Sequence, residues 1–172
     1  MTATDLQSVP DTARFTSASL LQRLLPELVA LALDVKQAHW NVTGPGFLPL
    51  HALTDEIAAD ARSWGDAVAE RALALGFSVD ARPRTVAAVA SDFPAGHVQD
   101  HEAVAELIAV IDGVTATALR LVADLERTDA VAHTLTLDVV EGLERHRWKL
   151  RAQVSGRFPF PAHDGPGPVP GP

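Results

Sequence analysis

Residues 50–76, LHALTDEIAADARSWGDAVAERALALG, contain no proline, and their only glycines are Gly65 within the run and Gly76 at its end. Ala, Leu, Glu and Arg dominate, which are the residues that lose least on entering a helix. Gly76 stands where a glycine commonly closes a helix, and Pro49 precedes the run, where a missing N–H costs nothing. One long helix is predicted here, and the rest of the chain has to pack along it.

Along this helix stand four metal-competent side chains whose spacing sets them apart: His51, Asp55, Asp66 and Glu70. At about 100° per residue, Asp55, Asp66 and Glu70 fall roughly 40°, 60° and 100° round the axis from His51, so all share one stripe. Along the axis, however, Asp55 and Asp66 are about 16 Å apart. Metal–ligand bonds are about 2 Å long, so the two pairs cannot hold one ion within a single chain. Either there are two half-sites, or a second copy of the helix completes each one. The spacing favours the second copy. His51 and Glu70 are centred on the same point as Asp55 and Asp66, between Asp60 and Ala61, so an antiparallel partner would oppose both pairs twice over. Ala58, Ala61 and Gly65 are expected to let the two backbones approach. For any one of these charges a solvated helix face is the ordinary explanation; the matched set of four is what departs from it.

The 172 residues suit one domain with a substantial core. Apolar residues make up 47% and aromatic residues only 5%, a composition of packed helices rather than of a sheet. With no Cys, disulfides, thiolate metal sites and Cys nucleophiles are excluded, and any metal must be held by His and carboxylate, a set that suits iron, manganese or zinc. A net charge of −8 does not favour nucleic acid or anionic membrane but attracts cations. No apolar run approaches a membrane span and the polar start has no signal-peptide pattern, so a soluble cytoplasmic protein is expected.

Residues 1–14 lack periodicity and read as a mobile arm, with none of the Lys or Arg density of an arm that grips DNA. A first helix is expected from about Ser17 to Val42, kinked by Pro26 or starting after it. It ends at the turn Asn41-Val-Thr-Gly44-Pro45-Gly46. A His at a helix end, such as His39, is usually a cap or a packed side chain. If the first two helices form an antiparallel hairpin, His39 instead faces the start of the second, beside His51. The connection over residues 77–99 carries a short helix around Thr85 to Ala90. His97, Asp100 and His101 read as a helix start capped by Asp100 rather than a metal pair. Third and fourth helices follow, over residues 101–127 and 130–154, joined by Thr128-Asp129. Near the end of the last one, His146 and Trp148 read as packing or hydrogen-bonding residues. The tail over residues 156–172 is too rich in Pro and Gly to pack as a helix.

The string Lys36-Gln-Ala-His39-Trp40-Asn41-x-x-Gly44-x-x-Phe47-x-x-Leu50-His51-x-x-x-Asp55, followed by Asp66-x-x-x-Glu70-Arg71-Ala72, resembles the Dps family of mini-ferritins, the DNA-binding proteins from starved cells. Glu144-Arg-His-Arg-Trp148 also fits the resemblance, and only the two tails, residues 1–14 and 156–172, lie outside it. The resemblance implies an all-α, ferritin-like four-helix bundle over residues 15–155, with a short extra helix between helices 2 and 3. It implies assembly of twelve copies into a hollow shell, with an iron-oxidising centre at each two-fold contact. His39, His51 and Asp55 would come from one subunit and Asp66 and Glu70 from its mate, with Trp40 beside the centre as a participant in electron transfer. Ferrous iron would be oxidised by hydrogen peroxide, or by dioxygen, and stored as a ferric mineral that protects against oxidative damage. The chain lacks the Glu-x-x-His motifs of ordinary bundle di-iron sites.

Two departures stand out. Arg62 shares the ligand stripe and reads as structural, with Asp66 at i+4 an available partner, and residues 129–138 hold fewer acids than an iron-entry pore would want. Two other functions compete: a shell that condenses DNA at the nucleoid, disfavoured by the acidic charge and non-basic tails, and a structural or adhesive shell with vestigial metal sites.

Overall fold

The structure, a computed structural model, describes residues 10–153. The expected arm up to residue 9 and the Pro/Gly-rich tail lie outside the described residues. Four long helices dominate: α1 (Asp11–Asn41), α2 (Phe47–Ala74), α4 (Asp100–Thr128) and α5 (Ala130–Gln153). A short α3 (Pro83–Ala87) sits in the connection between α2 and α4, slightly earlier than expected. Two-residue strands β1 (Val42–Thr43) and β2 (Val98–Gln99) pair in parallel, a contact that the local sequence did not announce.

Side-chain pairs fix the directions. Arg14, in the first turn of α1, donates from Nη2 to the Leu75 carbonyl just past α2 at 2.6 Å, while His39 near the end of α1 meets His51 near the start of α2. These helices are therefore antiparallel. Ser17 on Thr128 and Glu27 on Thr117 set α4 antiparallel to α1, and His146 on Asp60 sets α5 antiparallel to α2. Helices α2 and α4 thus run the same way, and the connection carrying α3 must cross the length of the bundle, as in ferritin-like topologies.

α1 takes in residues 11–14, which the sequence had assigned to an arm. The Arg14 bond to Leu75 and the edge contact of Phe15 on Phe77, 5.8 Å between ring centres, hold that first turn down. Pro26 is buried inside a continuous α1 and neither ends nor starts it; packed turns on both sides outweigh the one hydrogen bond it cannot make. Leu21, Leu24, Leu28 and Leu31 of α1 are fully buried and share one hydrophobic core with Ile57 of α2 and Leu107 and Leu121 of α4. Burying each such side chain contributes about 1.5–3 kcal/mol before chain entropy is counted.

The turn after α1 is clamped from a distance. The Asp100 carboxylate accepts from the Gly46 N–H at 2.7 Å and from the His101 N–H at 2.7 Å, which holds its pKa below the usual carboxylate range. Gly44 has φ of 118°, and a Cβ on Gly46 would lie 2.9 Å from the Asp100 carboxylate, so neither glycine can carry a side chain without strain. Asp100 is the first residue of α4 rather than its cap; Gln99 and Glu102 form the capping box.

Candidate metal centre

The α1–α2 hairpin brings His39, His51 and Asp55 together. The two imidazoles stack with ring centres 3.6 Å apart and 20° between their planes. Each Nδ1–H donates to the other residue's backbone carbonyl, at 3.0 Å in both cases. A carbonyl can only accept, so in each neutral ring the proton sits on Nδ1 and the lone pair on Nε2, the form in which imidazole binds a metal. Thr54 stands 3.3 Å from the His39 Nδ1 and donates its own hydroxyl to the Leu50 and His51 carbonyls. His39 is 7% exposed, so the pair is anchored in the wall of the bundle rather than displayed on a loop.

Asp55 approaches the same place, with Oδ1 3.6 Å from the His39 Nδ1. Lys36, one turn before His39, bonds that oxygen at 2.7 Å, and its ammonium holds the Asp55 carboxyl below the usual range. The same ammonium lies 5.5 Å from the Trp40 ring centre. Trp40 itself is 67% exposed, and Phe47 lies against His51 with ring centres 5.0 Å apart.

Asp66 and Glu70 are exposed on α2 and are not brought to this group; helix geometry keeps Asp66 about 16 Å along the axis from Asp55. Beside Asp66 runs an apolar groove of about 320 Å³ between α1 and α2, lined by Val29, Leu33, Ala69 and Val79. One expectation is corrected here. Ala58 and Ala61 are buried in the subunit's own core and are not free to meet a second copy, whereas Gly65, next to Leu25 and Leu28 of α1, lines the groove beside Asp66. Among the described residues, Arg62 makes no ion pair with Asp66.

A second group was not singled out by sequence reasoning. Glu56 and Asp60, one turn apart on α2, meet His146 of α5, with one ligand atom from each lying within 4.8 Å of the others. The signal was present only as an i, i+4 acid pair, and nothing local indicates that a His of the last helix lands between them.

The fold and the hairpin geometry agree with what comparison finds. Residues 18–156 match the ferritin-like domain family. Over 169 residues the chain is 30% identical to a DNA protection during starvation protein of Mycolicibacterium smegmatis, covering 96% of this chain and 91% of that one. The chain belongs to the Dps family. Its resemblance to DNA protection during starvation protein 2 of Deinococcus radiodurans is 33% over 138 residues, and the chain spans 57% of that protein's length. Among solved structures, Dps from Microbacterium arborescens in the high iron form superposes with a TM-score of 0.82 at 30% identity, covering 87% of this chain and 99% of that one. Like other Dps proteins the chain is a ferritin-like bundle, and no described helix is long and apolar enough to cross a membrane.

Proposed function

We propose that this Dps-family protein is an iron-storage ferroxidase whose centres form only between two subunits. The observation that carries this reading is the His39–His51 stack: two imidazoles held on Nδ1 by backbone carbonyls, beside a carboxylate, on a helix that carries two further acids a fixed distance away. Borderline nitrogen and hard oxygen ligands together suit ferrous iron, and carboxylates favour the ferric product. An antiparallel α2 from a partner would set Asp66 and Glu70 opposite His51 and Asp55. The apolar groove beside Asp66 and the exposed Leu33 are surface that such a partner would cover.

In this reading Lys36 stands in for the cation. It keeps Asp55 ionised until iron arrives and has to swing away as iron binds. Two ferrous ions would each give one electron to hydrogen peroxide, which takes up two protons and leaves as two waters. Trp40, on the rim, is placed to relay or absorb a stray electron. Twelve subunits would enclose the ferric mineral, and removal of both iron and peroxide would protect the cell, in the cytoplasm. Replacing His51 and Asp55 together by Ala should abolish Fe(II) oxidation by peroxide while sedimentation shows an intact shell; full activity in that variant would refute the centre.

A further inference from the structure

The Glu56–Asp60–His146 group lies outside the set just proposed and differs from it in kind, because all three side chains come from one chain. His146 is completely buried, 5.9 Å from Trp64 between ring centres, and its Nε2 points at the Asp60 Oδ2 at 2.8 Å. Its other nitrogen, Nδ1, is also buried and has no hydrogen-bond partner. The Asp60 carboxylate can only accept, so the resting neutral ring carries its proton on Nε2; a cation between them would send that proton to the unpartnered Nδ1 and leave the Nε2 lone pair to bind it.

Zinc, cobalt or ferrous iron takes nitrogen and oxygen at about 2.0–2.2 Å, so ligand atoms round one ion sit at most about 4.4 Å apart. A spread of 4.8 Å therefore needs only a small closing movement. The half-exposed Glu56 can make it. Arg145 acts on the Glu56 carboxylate from a distance, and Lys149, from the next turn of α5, bonds it directly. Its ammonium neutralises one of the two acids and leaves the cluster with a negative charge opposite a neutral imidazole.

We infer that Glu56, Asp60 and His146 form a second metal site, holding one divalent first-row transition ion within a single subunit at the α2–α5 contact. It needs no partner helix and its nitrogen ligand discriminates against Mg(II). Lys149 competes with the ion for Glu56 and sets the affinity.

The test uses Co(II) and the full chain carrying His51→Ala and Asp66→Ala, so that the two-fold set is broken whether or not it is the ferroxidase centre. Equilibrium dialysis and the visible absorption of Co(II) should show one ion per subunit, retained against a large excess of Mg(II). Adding Glu56→Gln and Asp60→Asn should weaken that binding by more than about a hundredfold, beyond what loss of a supporting hydrogen bond achieves. Adding Lys149→Met instead should tighten it by about tenfold, which a mere structural ion pair would not predict. Circular dichroism on each variant checks that the helices remain. Absence of bound Co(II) in the starting variant, equal binding after loss of both acids, or no gain from Lys149→Met would each overturn the site.

Discussion

Gly142 has no room for a side chain: a Cβ there would lie 2.2 Å from Cζ2 of Trp64. The six-membered ring of the Trp64 indole fills the space a side chain at Gly142 would need, which lets α2 and α5 approach there. Gly142→Ala is expected to cost about 1–3 kcal/mol by overpacking. That corresponds to a melting temperature lower by about 2–4 °C per kcal/mol at this chain length. The smaller ring of Trp64→Phe should recover part of it in the double variant. A second residue-scale effect lies at Asp34, buried between α1 and the connection and bonded by the Ser91 hydroxyl at 2.7 Å. Burial raises its pKa above the ordinary 3.8. The folded state therefore holds the proton more tightly than the unfolded chain, and stability is lost as pH rises through the raised value. Asp34→Asn should melt higher than the native protein at pH 7, and the difference should shrink as pH falls toward 3.8; a pH series of thermal scans reads this directly.

At the scale of elements, one carboxylate joins three helices. Asp129 sits in the α4–α5 turn with its side chain 2% exposed and accepts two hydrogen bonds from Arg71, at 2.9 and 3.0 Å, fastening the end of α2. It also accepts from the Val131 and Ala132 N–H groups, capping α5. Asp129→Ala removes the cap and leaves the Arg71 guanidinium half-buried without its partner. A loss of about 3 kcal/mol is expected in denaturant titration. Asp129→Ser restores the cap alone and should recover about 1 kcal/mol. The capping role is readable from Thr128-Asp129 followed by a helical run. The Arg71 contact is not, because the partners stand 58 positions apart and nothing local signals it. The same contrast holds at the centre: His39 facing His51 follows from a hairpin with a short turn, whereas the Asp100 clamp on that turn comes from the far side of the crossover.

For the whole molecule, an intersubunit centre has a signature that a site within one chain lacks. A His39→Ala/His51→Ala variant and an Asp66→Asn/Glu70→Gln variant should each be inactive alone. When they are assembled together at random, half the dimers are mixed and each mixed dimer holds one complete centre, so about a quarter of native Fe(II) oxidation should return. No recovery in a verified mixed assembly would place the ligands otherwise. The charge of −8 bears on the competing reading of a DNA-condensing shell. Gel shifts at low ionic strength should be weak and should vanish at moderate salt, because phosphate-driven binding collapses as salt rises.

The sequence alone determined four long helices, the short one in the crossover, and which side chains share the stripe of α2 and at what separation. Those quantities are local, set by propensity, by proline and glycine punctuation, and by the fixed rise and turn of a helix. It did not determine how each helix is rolled against its neighbours. Small residues at 58 and 61 suggested an outer contact on the sequence alone, yet the packed bundle buries them in the subunit's own core. His146 read as a packing or hydrogen-bonding residue and is both, but only the register of α5 on α2 shows that its partners are Asp60 and the neighbouring Glu56. Roll and register are settled by the summed burial of every helix pair at once, and no single stretch of chain contains that sum.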